Sequence, residues 1–144
     1  MRILARSMEQ VIVETVVHAP LEKVWEDYTN PESVRVWNAA SPDWHTPRAE
    51  NDLRTGGAFT YRMEARDGSE GFDFTGTYTD VSPMTNIAYV MDDGRNVRTT
   101  FTKEGGSVRV VTSFDPESEN TPELQKAGWQ AILDNFKRYV EGGD

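Results

Sequence analysis

The stretch from Pro122 to Gly142 constrains the fold of this chain more than any other segment. Its large apolar side chains recur with the spacing of one helix face, whereas charged and amide side chains occupy the opposite face. The apolar face consists of Trp129, Ile132, Leu133, Phe136 and Val140. Thr121 is a suitable N-cap, and Gly142 is a suitable stop. A helix with so bulky a stripe needs a large apolar partner. We expect a single curved sheet, a geometry that tends to enclose a pocket.

Short segments with alternating apolar and polar residues precede this helix and predict β-strands. They span residues 11–18, 48–53, 59–63, 72–78, 87–91, 97–101 and 108–114. Turns rich in Gly, Asp and Ser separate most of them at hairpin spacing, which is typical of an antiparallel sheet. The segment 48–53 is polar, so we expect it to lie at an edge of that sheet.

Two short helices are predicted after the first strand. Ala19-Pro20 opens the first helix, and Asn30-Pro31 ends it and starts the second. The apolar faces of the two helices carry Leu21, Val24, Trp25, Tyr28, Val34 and Trp37. Residues 38–47, around Trp44 and His45, are predicted to form a loop. Because the helices are segregated from the strands, the fold class is α+β.

A chain of 144 residues is long enough for one domain with its own core. We find no internal repeat and no low-complexity segment. We therefore predict that a single domain spans residues 1–144. Residues 1–8 are expected to form a loose N-terminal extension, because they contain only a three-residue apolar run and end just before the first strand.

The composition excludes several classes of function. The formal net charge is −9, so we expect neither nucleic acid nor an anionic membrane as a partner, because phosphate groups are bound by basic surfaces. No apolar run approaches the ~20 residues of a membrane span, and none is long enough for a signal peptide. The chain has no cysteine, which excludes disulfides, thiolate catalysis and zinc–cysteine sites. These features favour a cytoplasmic protein.

Four segments together resemble the SRPBCC or START-like superfamily, and within it the bacterial branch related to the heat-shock chaperone ATPase activators. They are HAPLEKVWEDYTNPE at 18–32, DLRTGGAFTYRM at 52–63, GTYTDVSP at 76–83 and GWQAILDNFKRYVE at 128–141. The resemblance implies a helix-grip fold, in which a sheet of about six to seven strands wraps around the long C-terminal helix and leaves an apolar cavity. Members of the superfamily bind lipids, sterols, polyketides or plant hormones, and a minority are cyclases or aromatases.

Aromatic and methionine side chains are the candidates for the cavity walls, because apolar walls with few polar groups are typical of small-molecule sites. The candidate cavity residues are Trp37, Trp44, Tyr61, Met63, Phe72, Phe74, Tyr78, Tyr89, Met91, Phe101, Trp129, Leu133 and Phe136. Any single one of them could instead belong to a packed core. A buried tyrosine hydroxyl needs a partner, so Tyr61, Tyr78 and Tyr89 could orient a ligand, although a backbone group could serve equally.

The charged residues show no catalytic or metal-binding pattern, so we assign no catalytic residue, no metal and no cofactor. His18 and His45 lack any metal-ligand spacing. His45 with Asp43 or Asp73 is a weaker alternative for acid–base chemistry. Strand phase favours the solvent face for Glu14, Glu50, Arg62, Glu64, Asp73, Arg98 and Arg109. The face of Arg95 is undetermined, and an inward arginine would bind a carboxylate or a phosphate.

The sequence leaves three functions open. We favour a protein that binds a small apolar or aromatic ligand in the cavity under the C-terminal helix. The first alternative is a co-chaperone-like module that contacts a protein partner through an exposed apolar patch. The second is a cyclase or aromatase, which needs a titratable group inside the cavity. Whether the protein is an enzyme stays open, and it could be a monomer or, through its sheet edges, a homodimer.

Overall fold

Seven strands and three helices make up the part of the chain that the computed structural model describes, residues 9–142. The strands are β1 (Val11–Val17), β2 (Trp44–Asn51), β3 (Ala58–Ala65), β4 (Gly71–Ser82), β5 (Asn86–Met91), β6 (Asn96–Glu104) and β7 (Ser107–Phe114). The helices are α1 (Leu21–Thr29), α2 (Pro31–Trp37) and α3 (Pro122–Val140). The predicted N-terminal extension, residues 1–8, lies outside the described residues.

All seven strands form one antiparallel sheet with the order β1-β7-β6-β5-β4-β3-β2. The register shifts between His45 and Arg48 in β2 and between Tyr78 and Asp80 in β4. Such bulges increase the local twist and bend of a strand. The sheet curls around α3, and the prediction of an α+β helix-grip fold with two short helices after the first strand is confirmed.

The prediction of a loop over residues 38–47 is wrong at its C-terminal end, because β2 already begins at Trp44. Trp44 pairs with Ala65 of β3 before the register shifts. Pro47 falls within this bulge of an edge strand, a position where a missing N–H costs no ladder hydrogen bond. The strand start was not predicted because Pro47 is typical of a loop and because the alternation of apolar and polar residues is interrupted at the bulge.

The helices pack on the concave face of the sheet and fill one end of it with aromatic side chains. These rings, from α1, α2, α3 and β6, have centroids 4.9–5.3 Å apart. They belong to Trp25, Tyr28, Trp37, Phe101 and Phe136. α3 is capped as predicted, since the Thr121 hydroxyl accepts a hydrogen bond from the backbone N–H of Leu124 at 3.1 Å. The solid core therefore lies where α1 and α2 cover the sheet.

Charged groups tie the C-terminal end of α3 to the end of β1. The Lys137 ammonium donates to the Val16 carbonyl at 2.6 Å and to the Glu141 carboxylate at 2.8 Å. The same carboxylate accepts a hydrogen bond from the backbone N–H of His18 at 2.7 Å. The hydrogen bond from Lys137, followed by that from His18, holds the pKa of Glu141 below its usual value.

Replacing Glu141 with glutamine is expected to lower the free energy of unfolding by about 1 kcal/mol at neutral pH, because two donors lose an ionised acceptor. The folded-state pKa of Glu141 is depressed, so its contribution is present above the unfolded pKa of about 4.5 and is lost as the pH falls through the lower folded value. Urea denaturation from neutral pH down to about pH 3 measures both effects. Glu119→Gln is the control, since that side chain is exposed in a loop. An unchanged difference between wild type and E141Q across this range would contradict the assignment.

Candidate functional site

A cavity of about 330 Å³ lies between the concave face of the sheet and α3. Strands β3, β4 and β5 supply one wall, because alternate residues of each strand point inward. Trp129, Ile132 and Leu133 of α3 supply the opposite wall, and Tyr28 and Trp37 close the end nearest α1 and α2. Small-molecule sites span about 300–1,000 Å³, so this cavity suits a ligand at the small end of that range.

Ten of the predicted cavity residues line this space. They are Trp37, Tyr61, Met63, Phe72, Phe74, Tyr78, Tyr89, Met91, Trp129 and Leu133. Phe59, the first residue of the predicted strand 59–63, lines it as well. The period of two in β3, β4 and β5 and the helical period of α3 thus bring distant segments around one space.

Three of the predicted cavity residues lie elsewhere. Phe101 and Phe136 face inward, as their phase predicts, but only 4% and 0% of their surfaces are exposed and neither reaches the cavity. The Tyr28 ring fills the space beside both, with centroid distances of 5.3 and 5.2 Å. Trp44 lies on the edge strand β2, against which α2 packs, and lines a second pocket.

Aromatic rings form a continuous wall around Phe59. Its ring centroid lies 4.8 Å from that of Tyr89, 5.0 Å from Tyr61, 5.4 Å from Tyr78 and 5.6 Å from Phe74. On the opposite side, the Trp129 indole stacks on Phe114 at 4.0 Å, with the planes 12° apart. Rings held by other rings offer a rigid apolar surface against which a flat ligand can stack.

Two of the tyrosine hydroxyls in the cavity are held by neighbouring polar groups. The Tyr28 hydroxyl lies 3.2 Å from that of Thr99, and the Tyr61 hydroxyl accepts a hydrogen bond from Asn51 at 3.2 Å. Asn51 also donates to the Thr29 carbonyl at 2.8 Å, which fixes its amide. Burial raises the pKa of Tyr28 and of Tyr61, and these hydrogen bonds oppose the shift in part. Both phenols therefore stay neutral near pH 7, and each hydroxyl can act as a hydrogen-bond donor.

Tyr78 and Tyr89 provide the other two hydroxyls. Burial is the main cause that raises the pKa of each well above the usual value for tyrosine, and the neighbouring tyrosines add to the shift. Within residues 9–142, no group makes a hydrogen bond to the Tyr89 hydroxyl. The Tyr89 side chain is half-buried in the cavity wall, so its hydroxyl can donate a hydrogen bond to a molecule in the cavity or accept one from it.

Three polar lining residues that were not among the predicted cavity residues lie at the rim of the cavity: Arg95, Glu117 and Asn120. Arg95, left without an assigned face, lines the cavity and donates from Nε to the Asp93 carboxylate at 2.9 Å. Within residues 9–142 no hydrogen bond is made by its other guanidinium N–H groups, so these groups can meet a polar atom of a ligand. Glu117 and Asn120, in the loop between β7 and α3, lie on the same rim.

Gln125 fixes that loop against the first turns of α3. Its amide donates to the carbonyls of Glu117 and Asn120 at 3.0 and 2.8 Å and accepts from the Glu117 backbone N–H at 2.9 Å. Gln125 was not among the predicted cavity residues, although it lies one turn before Trp129 on the same helix face. Its spacing of four residues before Trp129 is the sequence signal that places Gln125 on the cavity face of α3. The other lining residues outside the predicted set are Val13, Tyr28, Thr29, Asn38, Leu53, Ile87, Thr112 and Ile132.

The histidines do not reach the cavity. His45 lies in β2, where its Nε2 is 3.9 Å from the Glu64 carboxylate, and it lines the second pocket. Neither Asp43 nor Asp73 lines the cavity, so the structure does not bring the weaker acid–base alternative together there. The His18 ring lies 2.8 Å from the Ser107 hydroxyl.

Among the described residues, six of the seven strand residues that phase placed on the solvent face, all except Glu50, take part in ion pairs. Arg62 bonds Glu64 at 2.9 Å and Asp73 at 3.4 Å. Arg109 bonds Glu14 at 2.7 Å. In the part of the chain that the structure describes, no group of three or more His, Cys, Asp or Glu side chains is arranged to hold a metal ion. Nor does this part contain a helix long and apolar enough to cross a membrane.

Known proteins match this chain over most of its length. A solution structure of an AHSA1-like protein from Aeromonas hydrophila is 48% identical, with a TM-score of 0.88 over 93% of both chains. A solution structure from Cytophaga hutchinsonii is also 48% identical, with a TM-score of 0.81 over 93% of both chains. A crystal structure from Chromobacterium violaceum shares the fold at 21% identity and a TM-score of 0.80, over 93% of this chain and 99% of that one. No protein with a curated description matches the sequence.

A family match covers nearly all of the elements described above. Residues 18–141 match the family described as Activator of Hsp90 ATPase homolog 1-like protein. The matched range includes α1, α2, strands β2 to β7 and α3, and it therefore contains almost the whole cavity wall. The chain belongs to the Activator of Hsp90 ATPase homolog 1-like protein family, in the bacterial SRPBCC branch that its sequence resembles.

Proposed function

We propose that this protein binds a small, flat, hydrophobic molecule in the cavity between the sheet and α3. The observation that carries the proposal is the cavity itself, about 330 Å³ walled by aromatic and methionine side chains. The unpaired Tyr89 hydroxyl in its wall offers one directed hydrogen bond to such a ligand. The fold supports the proposal, since SRPBCC proteins often bind hydrophobic ligands. The net charge of −9 and the lack of cysteine support a cytoplasmic site of action.

The free energy available from the cavity is sufficient for binding. A ligand of two or three rings that buries roughly 300–400 Å² of apolar surface gains about 8–10 kcal/mol at 25 cal/mol per Å². Association and ordering cost at least about 4 kcal/mol of this gain. The net gain of at most about 4–6 kcal/mol corresponds to a dissociation constant of roughly 40 μM to 1 mM or weaker. Burial of the rings therefore supplies most of the affinity, and hydrogen bonds determine the specificity for one ligand over another.

The polar lining favours binding over catalysis. Among the described lining residues, the charged ones are Arg95 and Glu117, and both lie in loops at the rim. The interior groups are hydroxyls and amides. Burial raises the pKa of the tyrosines, so these phenols stay protonated near neutral pH and are poor proton donors in acid–base catalysis. The cyclase alternative needs a titratable group beside the substrate, and the interior offers no carboxylate or imidazole among residues 9–142.

The co-chaperone-like alternative needs one exposed apolar patch. Five large apolar side chains of the described residues are exposed, and each belongs to a different element or turn. They are Ile12, Val36, Phe72, Met84 and Leu124. Single exposed apolar residues are normal on a protein surface. Binding of a small molecule is therefore the function that the geometry supports best.

Binding is tested with the neutral fluorescent probe N-phenyl-1-naphthylamine, whose emission rises when it leaves water. We expect saturable binding of one probe per chain. Ile132→Trp adds a ring to the α3 wall of the cavity and should weaken binding by about tenfold or more, the equivalent of 1.4 kcal/mol. Ile12→Trp is the matched control, because that side chain is 53% exposed and does not line the cavity. Its affinity should equal that of wild type.

Thermal melts of both variants establish that they are folded before the titrations are compared. Wild-type affinity in a folded Ile132→Trp variant would place the probe outside the cavity and overturn the proposal. The proposal also fails if neither the probe nor a panel of lipids, flavonoids and polyketides changes tryptophan emission or the melting temperature. Equal weakening in both variants would mean that surface contacts bind the probe, which contradicts the proposal as well.

A further inference from the structure

A second pocket, of about 280 Å³, lies on the flank of α3 that faces away from the cavity. We name it the arginine pocket after Arg35, Arg66 and Arg138, which line it together with Trp44 and His45. Arg35 comes from α2, Arg66 from the turn between β3 and β4, and Arg138 from α3. Three arginines that are distant in sequence therefore border one space.

Charge sets the arginine pocket apart from the rest of the molecule. The chain has 24 acidic and 15 basic residues, yet the residues that line this pocket include three arginines and neither Asp nor Glu. Like charges repel unless a counter-charge is present, so a site of this sign in an acidic protein favours an anion.

Hydrogen bonds to the protein hold each arginine in place. Arg66 donates from Nε to the Pro42 carbonyl at 3.0 Å, and Arg138 donates from an Nη atom to the Asn135 side chain at 2.9 Å. Arg35 donates to the Glu32 carboxylate at 3.1 Å. A guanidinium has five N–H groups, so each of the three keeps donors for a ligand. Pre-positioned donors lose less entropy when they bind.

Neighbouring carboxylates neutralise only part of this charge. Glu32 pairs with Arg35, and Glu64 lies 3.9 Å from Nε2 of His45. Within residues 9–142, Arg66 and Arg138 form no ion pair with a carboxylate, and their protein acceptors are a carbonyl and an amide oxygen. Two full positive charges at the pocket are therefore left for an anionic ligand.

The geometry points to a phosphate monoester as the ligand of the arginine pocket. A phosphate group presents three strong acceptor oxygens and a charge near −2, which matches three arginines better than a single carboxylate does. The half-buried Trp44 indole on the pocket wall can cover the organic part of the ester. The net charge of −9 opposes an anionic membrane surface, so we assign a soluble ester and not a lipid headgroup. This inference is independent of the cavity and of the function proposed for it.

The test is an NMR titration of the ¹⁵N-labelled full chain with phenyl phosphate and with inorganic phosphate at low ionic strength. We expect the Trp44 indole N–H and the Arg66 and Arg138 side-chain signals to shift with saturation, while the Trp129 indole signal in the cavity does not. Arg66→Ala and Arg138→Ala should each weaken binding by about tenfold, through loss of a charge-assisted hydrogen bond. Arg138→Lys should weaken it less, since the charge is kept.

The matched control is Arg54→Ala, because that arginine is exposed, pairs with Asp52 and lies outside the pocket. Its affinity for phenyl phosphate should equal that of wild type. All three arginines of the pocket are exposed, so their variants should fold, and melting curves check this. Three results would overturn the inference: no saturable shift, equal weakening by Arg54→Ala, or shifts confined to Trp129. Association with phosphatidic acid vesicles without any response to phenyl phosphate would overturn the assignment to a soluble ester.

Discussion

Replacing Phe136 with alanine is expected to lower the free energy of unfolding by about 3–5 kcal/mol, the range for deleting a buried aromatic ring. The side chain is fully buried, and its ring lies edge-on to Trp37 at 4.9 Å and to Tyr28 at 5.2 Å. Both neighbours also line the cavity, so the deleted ring supports the cavity wall from behind. Affinity for N-phenyl-1-naphthylamine should therefore change together with stability. Chemical denaturation and the probe titration measure the two effects.

The control for Phe136→Ala is the same substitution at Phe72. That ring is 47% exposed at the rim of the cavity, so Phe72→Ala should cost about 1 kcal/mol or less. Equal losses at the two positions would show that the aromatic cluster under α1 and α2 does not form the core as described.

Replacing Gly76 with alanine is expected to destabilise the fold by about 1–3 kcal/mol, the usual cost of overpacking. A Cβ atom there would lie 2.8 Å from Cε2 of Phe59 and 2.9 Å from the carbonyl oxygen of Val90. Because that oxygen belongs to the backbone of β5, the Phe59 ring has to move instead, into the cavity that it lines. Probe affinity should fall as well, and denaturation curves with probe titrations report both losses.

Gly106→Ala is the matched control for Gly76→Ala. No atom lies within 4 Å of the Cβ position at Gly106, and its φ is not in the left-handed region. Its stability should stay within about 0.5 kcal/mol of wild type. If Gly76→Ala is equally harmless, β3 and β5 do not approach β4 as closely as described, and the aromatic wall is looser.

Local patterns were sufficient to predict most of the fold. The stripe over residues 122–142 and the alternation of the strands depend on the two backbone periods, which survive in the sequence wherever one face is buried. The start of β2 could not be predicted in the same way. Its first residues are held by pairing with β3, a long-range contact, and Pro47 at the bulge imitates a loop signal.

The same reasoning explains which cavity residues the sequence could predict. Periodicity says which side chains of β3, β4 and β5 point inward, and those side chains do line the cavity. Periodicity does not predict which part of the concave face borders a cavity and which part is covered by packed side chains. The packing of α1 and α2 decides that, and for this reason Phe101 and Phe136 lie in solid core. Trp44 faces a different pocket because β2 packs against α2.

α3 serves both pockets at once, since Trp129, Ile132 and Leu133 border the cavity while Ala131, Asn135 and Arg138 border the arginine pocket. α3 thus separates an apolar cavity from a positively charged pocket. If a ligand in one of the two sites shifts α3, it changes the affinity of the other site for its own ligand. The second ligand then changes the affinity for the first by the same factor, because coupling between two binding equilibria is reciprocal.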